Sequence, residues 1–230
     1  MKTIGLVGGT GWISSAEYYR IINEEINRRA GGFTFSRCIL YSVNYGEIEM
    51  FNKQNNKEGV YSLILDATLK LAGAGAECIV LCANTLHQFY ERLAQETDIP
   101  FIHIADAAAR EIRQKKMSRV GLLGTKQTME MDFYKSRLNE REIDVLIPEQ
   151  SDRDFIQKTI SNELLKGVFS DVSRNHFVEI CKELQGRGVE GIVLGCTEIP
   201  LLLKQEDINI PVINTLTIHA LAAVDFALND

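Results

Sequence analysis

The chain has 230 residues, of which 45% are hydrophobic and 24% charged, and its formal net charge is −6. These values are typical of a soluble globular protein with one large or two small domains, and an acidic chain without a long basic run is not expected to bind nucleic acid or an acidic membrane. The first apolar stretch, residues 4–7, is too short for a signal peptide, and no apolar run approaches the roughly 18 residues that span a bilayer.

The chain has five cysteines, an odd number, and none of them has CxxC spacing. This pattern argues against a disulfide framework and against a structural zinc site. We therefore expect free thiols in a cytoplasmic protein that contains no metal.

Short apolar runs alternate with helix-length segments along the first half of the chain. We predict that Ser14 or Ser15 caps the first helix and that residues 44–57 form a polar loop or lid. The predicted strands cover residues 4–7, 35–43, 77–81 and 101–104. The predicted helices cover residues 15–30, 60–74, 85–95 and 106–116.

The second half repeats this alternation, which indicates parallel sheets with crossover helices. Its predicted strands cover residues 119–123, 144–147, 190–194 and 208–213. Its predicted helices cover residues 129–139, 152–165, 175–185, 199–204 and 217–228.

Three segments of the first half have counterparts, in the same order, in the second half. Such a series indicates an internal duplication. We predict an α/β fold of two similar lobes, each a mainly parallel sheet flanked by helices, related by a pseudo-twofold axis. The first lobe would contain residues 1–102 and 213–230, the second residues 103–212, with the active site in the cleft between them. The matched segments are 4–8 with 120–124, 77–81 with 190–194, and 99–102 with 210–213.

Two cysteines, Cys82 and Cys196, each follow a predicted buried strand and precede a predicted helix. Ligands of open α/β sheets bind beyond the carboxyl ends of the strands, and a helix N-terminus lowers the pKa of a thiol. We therefore expect one thiolate and one thiol on opposite sides of a substrate carbon. Such a pair can remove a proton from one face and return one to the other, which inverts a stereocentre without a cofactor.

Candidate substrate-binding groups lie beside both cysteines and at the end of the first strand of each half. Backbone amides and hydroxyls in such turns bind carboxylates. The candidates are Gly9, Thr10, Asn84, Thr85, Thr125 and Thr197.

Several residues have a structural as well as a functional interpretation. His87 either donates a proton or caps and packs its helix, and Glu198 either orients Cys196 or forms an ion pair at a helix start. Residues 8–11 lack the spacing of a dinucleotide fingerprint and favour a tight turn with positive φ. The remaining cysteines and histidines are expected to be structural or exposed: Cys38, Cys78, Cys181, His103, His176 and His219.

The two cysteine motifs together resemble those of the aspartate/glutamate racemase family. The motifs are Cys-Ala-Asn-Thr-Leu-His at 82–87 and Gly-Cys-Thr-Glu at 195–198, and the opening Ile-Gly-Leu-Val-Gly-Gly at 4–9 is similar too. The resemblance covers nearly the whole chain. It implies a cofactor-independent amino-acid racemase of two α/β lobes that acts on aspartate or glutamate as a homodimer.

The resemblance also implies roles for individual residues. Cys82 and Cys196 match the catalytic cysteines, and Asn84, Thr85 and Thr197 match contacts of the substrate carboxylate. Lys166 either matches a lysine that helps to hold the side-chain carboxylate or is a solvated lysine at the end of a helix.

The sequence departs from parts of the family pattern. Some members have an arginine where residues 44–49 have none. The glutamate racemase branch has an aspartate near Val7-Gly8 and a histidine at the position of Glu198. An aspartate or broad aspartate/glutamate racemase is the closer match.

Two other function classes fit the same residues. One is a cis–trans isomerase or decarboxylase of a small dicarboxylate, and the other is a non-catalytic binder of small carboxylates.

Overall fold

The computed structural model describes residues 1–229, and its internal contacts divide them into two compact units. The first unit contains Met1–His103 and the chain from His219 onward, and the second contains Ile104–Ile218.

The first unit contains a four-stranded parallel sheet with the strand order β2-β1-β3-β4. Every residue of the two central strands, β1 and β3, is buried, as expected for a parallel sheet covered on both faces. The strands are β1 Ile4–Gly8, β2 Cys38–Ser42, β3 Cys78–Leu81 and β4 Phe101–Ile102. The helices are α1 Trp12–Ala30, α2 Tyr45–Lys53, α3 Lys57–Gly73, a 3-10 helix Asn84–Phe89 and α4 Tyr90–Leu93.

The second unit contains a parallel sheet with the order β6-β5-β7-β8. Its strands are β5 Arg119–Gly124, β6 Asp144–Leu146, β7 Gly191–Gly195 and β8 Val212–Asn214. Its helices begin with α5 Ile104–Gln114, α6 Lys126–Glu130, α7 Asp132–Asn139 and α8 Gln150–Asn162. They continue with a 3-10 helix Leu164–Lys166, α9 Asp171–Gly186, α10 Ile199–Leu202, a 3-10 helix Gln205–Asp207 and the first residues of α11 Thr215–Leu228.

The boundary between the units differs from the expected one. Residues 213–218, assigned to the first lobe from the sequence, belong to the second unit, and His103 belongs to the first. The reason is that β8 extends to Asn214 and pairs with β7 along its whole length.

The two sheets have the same strand order, which confirms the predicted two-lobed α/β fold of parallel sheets. In each unit, a glutamate at a corresponding position also accepts backbone hydrogen bonds at the start of the first strand. Glu77 Oε2 accepts a 2.6 Å hydrogen bond from the backbone N–H of Thr3. Glu190 Oε2 accepts from the backbone N–H groups of Ser118 at 2.6 Å and Arg119 at 2.9 Å.

Each unit has its own hydrophobic core. Val7, Ile79 and Leu81 contribute sheet residues to the core of the first unit. Large buried side chains of the second include Tyr134 and Phe177. Within residues 1–229, no helix is long and apolar enough to cross a bilayer.

The predicted loop at 44–57 is wrong, because most of it is helix α2. The Asn44 side chain caps this helix by accepting a hydrogen bond from the N–H of Gly46, and Glu47 and Lys53 complement the helix dipole. Only Ile48 is buried along the helix. Tyr45 and Met50 are exposed, so the apolar residues of this segment do not mark a fully buried helix face.

Four other helix predictions need correction. The segment 85–95 begins as a 3-10 helix, and the segment 129–139 is interrupted by an extended residue at Met131. α8 ends at Asn162 rather than Leu165. The first helix begins at Trp12, so Ser14 and Ser15 lie inside its first turn and do not cap it.

Candidate active site

Cys82 lies directly beyond β3 in the first unit and is 1% exposed. Its backbone N–H donates a 2.9 Å hydrogen bond to the carbonyl of Val7, so the residue continues the pairing of β3 with β1. The Sγ atom lies 3.8 Å from the Val80 carbonyl oxygen, which can only accept a hydrogen. Burial raises the pKa of the thiol.

Cys196 lies directly beyond β7 in the second unit, at the position that corresponds to Cys82, and is 7% exposed. Its Sγ is 3.1 Å from Oε2 of Glu198, which is itself buried. The pKa of this thiol is raised well above its usual value, first by burial and then by the Glu198 charge. Hydrogen bonds from the backbone N–H groups of Glu198 and Ile199 lower the pKa and partly oppose these effects.

The expectation of a lowered thiol pKa is therefore wrong for both cysteines. The segment after Cys82 is a 3-10 helix, and α10 after Cys196 has only four residues, so neither presents a long helix dipole to the sulfur. Desolvation disfavours the charged thiolate and outweighs the local dipoles. Both side chains are thiols in the resting protein at neutral pH.

The predicted partners of Cys82 follow it in the 3-10 helix. Asn84 is buried, and the carbonyl of half-buried Thr85 accepts a 2.9 Å hydrogen bond from the Gln88 side chain. His87 places Nδ1 3.1 Å from the Ala83 carbonyl oxygen. This contact fixes the backbone just beyond Cys82 and accords with the packing interpretation of His87.

Three of the chain's four histidines pack together in the first unit. The His87 ring lies 4.6 Å from that of His103 and 5.4 Å from that of His219, centroid to centroid, and all three are buried. His219 Nε2 lies 2.6 Å from the Ile102 carbonyl and Nδ1 lies 2.8 Å from the Tyr18 hydroxyl. Burial lowers the pKa of His219 to about 4, so it is neutral at physiological pH.

The sequence reasoning did not detect this histidine cluster. Tyr18 and His219 stand 201 positions apart in the chain, and no local pattern joins them.

The turn after β1 depends on Gly9. Its φ is +93°, and a Cβ there would lie 2.1 Å from the Val43 carbonyl oxygen, which confirms the tight turn expected from the sequence. The Gly9 N–H donates to Ser15 Oγ at 2.9 Å and is therefore engaged within the protein. Among the described residues, nothing hydrogen-bonds the neighbouring Thr10 Oγ1, although this atom is buried.

The corresponding turn of the second unit is more fully hydrogen-bonded. Thr125 caps α6 by accepting a hydrogen bond from the N–H of Thr128 at 3.3 Å. The N–H of Lys126 donates to the Gln157 side chain at 2.9 Å, and its ammonium pairs with Asp154.

Two further candidate residues lie in the second unit. Thr197 Oγ1 donates a 3.0 Å hydrogen bond to Glu198 Oε2. Lys166 is exposed at the end of a 3-10 helix, which Gly167 terminates with a φ of +74°. This short helix packs beside α10, the helix that follows Cys196. The second unit therefore brings Lys166 into the neighbourhood of the Cys196 segment.

The other three cysteines lie in less distinctive surroundings. Cys78 and Cys181 are buried, and burial raises the pKa of each to about 12. Cys38 is half-buried, and burial raises its pKa too. Within residues 1–229, no three His, Cys, Asp or Glu side chains are grouped so as to hold a metal ion.

The fold matches solved structures over the whole chain. A Yersinia pestis protein provisionally described as an Asp/Glu racemase is 41% identical, with 100% of both chains covered and a TM-score of 0.92. An aspartate racemase homologue from Pyrococcus horikoshii OT3 is 34% identical over 100% of both chains, with a TM-score of 0.84.

Sequence comparison gives the same relationship. The broad specificity amino-acid racemase RacX of Bacillus subtilis is 25% identical over 155 residues, which cover 66% of this chain and 65% of that relative. The model of the family described as Asp/Glu/Hydantoin racemase matches residues 7–223. The chain therefore belongs to the Asp/Glu/hydantoin racemase family, as the resemblance of its cysteine motifs predicted.

Proposed function

We propose that this protein racemises an acidic amino acid, aspartate and/or glutamate, without a cofactor, and that Cys82 and Cys196 are its two catalytic residues. One observation carries the proposal. The two cysteines occupy corresponding positions, just beyond the third strand in sequence of two units that share one strand order, in a chain of a racemase family.

The chemistry requires the two sulfur atoms to reach opposite faces of the substrate Cα. One sulfur, as a thiolate, takes the α-hydrogen as a proton and leaves a carbanion. The other, as a thiol, gives its proton to the opposite face and becomes the thiolate. In the reverse reaction the roles exchange. No electrons are transferred to another molecule, so no redox group is needed.

A carbanion next to a carboxylate is stabilised by hydrogen-bond donors directed at the carboxylate oxygens. We assign this role to Thr10, Asn84, Thr85, Thr125 and Thr197, with Gly9 shaping the turn. For Thr197 the role requires its hydroxyl hydrogen, which is donated to Glu198, to turn to the substrate. Thr10 is the best supported, because its buried hydroxyl oxygen has no hydrogen-bond partner among the described residues. A buried hydroxyl without a partner costs free energy, which a bound carboxylate would recover.

We assign the recognition of the acidic side chain to Lys166. The lysine ammonium is exposed, and its short helix lies beside α10. A cation placed there would pair with the second carboxylate of aspartate or glutamate, which neutral amino acids lack.

We propose further that the protein is a cytoplasmic homodimer. All five cysteines are free thiols, which suits a reducing compartment. Tyr19, Phe33 and Phe35 are exposed by 53%, 97% and 55%. Asn27 donates hydrogen bonds to the backbone carbonyls of residues 32 and 34 and so holds this loop against α1. Such exposed aromatic side chains are typical of a surface that a second copy covers.

The decisive experiment incubates the purified protein, without added cofactor, with L- and D-forms of a panel of amino acids and 5-substituted hydantoins. Chiral chromatography should show inversion of aspartate, glutamate or both. In deuterated water the product should carry deuterium at Cα. Cys82→Ala and Cys196→Ala should each abolish inversion while the circular dichroism spectrum stays unchanged. Near-full activity of either variant would refute the two-cysteine mechanism.

The same panel separates the other function classes. Conversion of maleate or of a malonate-type acid, without inversion of any amino acid, would identify a dicarboxylate isomerase or decarboxylase. Calorimetric binding of aspartate without any conversion would identify a carboxylate-binding protein.

A further inference from the structure

We propose that Glu198 is the immediate proton acceptor of Cys196, so that Cys196 is the cysteine that first becomes a thiolate and Cys82 is the one held as an acid. This inference rests on the two-cysteine mechanism proposed above and assigns different resting roles to its two members.

The surroundings of the two sulfurs differ in kind. Cys82 Sγ faces the carbonyl oxygen of Val80, and a carbonyl can accept a hydrogen bond but cannot take a proton at neutral pH. Cys196 Sγ faces the Glu198 carboxyl oxygen at 3.1 Å, and a carboxylate oxygen is a group to which a proton can be transferred. When the partner is a carbonyl, the thiol hydrogen stays on the sulfur. When the partner is a carboxylate, the thiol proton can be transferred to it.

The sulfur of Cys196 also has groups that stabilise negative charge. The backbone N–H groups of Glu198 and Ile199 act on the pKa of the thiol in the direction that favours the thiolate, and the Ile199 N–H donates a 3.1 Å hydrogen bond to the Cys196 carbonyl oxygen. Donors of this kind favour the thiolate once the proton has left. Cys82 has the carbonyl contact and burial, and neither favours a thiolate.

Corresponding residues of the two units mark the same difference. The position two residues after the cysteine is Asn84 in the first unit and Glu198 in the second. An amide cannot take a proton at neutral pH, whereas a carboxylate can. A side chain able to take a proton therefore stands at this position only beside Cys196.

The proton balance closes without another reactant. The Cys196 S–H bond breaks and its proton forms an O–H bond on Glu198. The Cys196 thiolate then takes the substrate α-hydrogen as a proton, and the Cys82 S–H bond delivers its proton to the opposite face. After product release the proton of Glu198 returns to the Cys82 thiolate through solvent. Thr197 donates to the same oxygen of Glu198 at 3.0 Å and so orients the carboxylate beside the sulfur.

The matched variant is Glu198→Gln, which keeps the size and a hydrogen-bond acceptor but cannot take a proton. We expect kcat/KM to fall at least about tenfold in both directions. Because two enantiomers have equal free energy, the loss must be the same for L-to-D and D-to-L conversion. The racemisation rates alone therefore cannot show which cysteine Glu198 serves.

Exchange of the substrate α-hydrogen in deuterated water, measured in single-cysteine variants, can show which cysteine Glu198 serves. With Cys82→Ala only Cys196 remains as a base, and with Cys196→Ala only Cys82 remains, and the two should exchange opposite enantiomers. Adding Glu198→Gln should slow exchange at least about tenfold in the Cys82→Ala protein and less than about twofold in the Cys196→Ala protein. An equal loss in both, or unchanged kcat/KM in Glu198→Gln, would overturn the assignment.

Glu190→Gln, a structural carboxylate of the same unit, is the control and should leave exchange unchanged in both single-cysteine proteins. A similar loss of exchange in Glu190→Gln would show that the effect of Glu198→Gln is structural.

The two proposals fail in different ways. If the wild-type protein inverts no compound in the panel, the racemase proposal fails. If the wild type inverts a substrate and Glu198→Gln does so equally well, only the role of Glu198 fails.

Discussion

The Tyr18 hydroxyl and Nδ1 of His219 lie 2.8 Å apart inside the first unit, and the tautomer of the histidine decides which of the two atoms donates. Nε2 faces the Ile102 carbonyl at 2.6 Å and must donate, because a carbonyl oxygen only accepts. Nδ1 therefore accepts from Tyr18, and the neutral ring has both nitrogen atoms satisfied.

This geometry predicts a loss of stability in acid. His219 takes up a proton near pH 6.5 when unfolded, but its folded pKa is about 4. The stabilisation is therefore fully present above pH 6.5 and is lost as the pH falls from 6.5 to 4. At about 1.4 kcal/mol per pH unit, the loss is about 3 kcal/mol.

Urea denaturation of wild type and His219→Gln at pH 7, 6, 5 and 4.5 measures this effect. The variant should show a flatter pH dependence, because the titrating group is gone. The exposed His176→Gln should follow the wild-type curve. An unchanged slope in His219→Gln would contradict the assigned neutral state.

The second prediction concerns the turn at Gly9. In Gly9→Ala the new Cβ would lie 2.1 Å from the Val43 carbonyl oxygen, and the backbone would keep a positive φ. We expect the free energy of unfolding to drop by at least about 2 kcal/mol, of which the positive φ alone costs roughly 1–2 kcal/mol. Gly31→Ala is the matched control, since Gly31 also has a positive φ but nothing within 4 Å of a Cβ. Equal losses in the two variants would show that the close approach to Val43 is unimportant.

The third prediction concerns the cap of α2. Asn44→Ala removes the acceptor of the Gly46 N–H hydrogen bond and should cost about 1 kcal/mol of stability. Asn44→Asp keeps the acceptor and should be close to wild type. Thermal unfolding followed by circular dichroism provides the measurement. Equal melting temperatures for Asn44→Ala and the wild type would show that this cap contributes nothing.

The fourth prediction tests the assigned role of Lys166. Lys166→Met should raise KM for aspartate by about 10- to 100-fold, since a charge-assisted hydrogen bond contributes about 1.5–3 kcal/mol. Lys158→Met, another exposed lysine of the second unit, should leave KM unchanged. Steady-state kinetics in both directions would measure the effect, and equal KM values for both variants would remove Lys166 from the site.

Sequence patterns predicted the sheets better than the helices. Buried parallel strands such as β3 and β7 are continuous apolar runs, and they stand out between turns. α2 was missed because it buries only Ile48 and is otherwise defined by its cap and end charges. The 3-10 geometry after Cys82 was missed because it depends on packing against the rest of the first unit.

For the candidate site, the sequence predicted where the cysteines lie but not their protonation. The positions of Cys82 and Cys196 at strand ends follow from the chain itself. Their raised pKa values do not, because they depend on how much protein covers each sulfur. The contact of His219 with Tyr18 also lay beyond sequence reasoning, since only the folded chain brings them together.

Glu77 and Glu190 have a consequence for the history of the fold. Each accepts a backbone hydrogen bond at the start of the first strand of its unit, β1 or β5, and neither belongs to a cysteine motif. A feature that both halves retain away from the proposed chemistry is most simply explained as inherited from one ancestral half. Under the internal duplication predicted from the sequence, the carboxylate would be older than the duplication, and the difference between Asn84 and Glu198 would be younger.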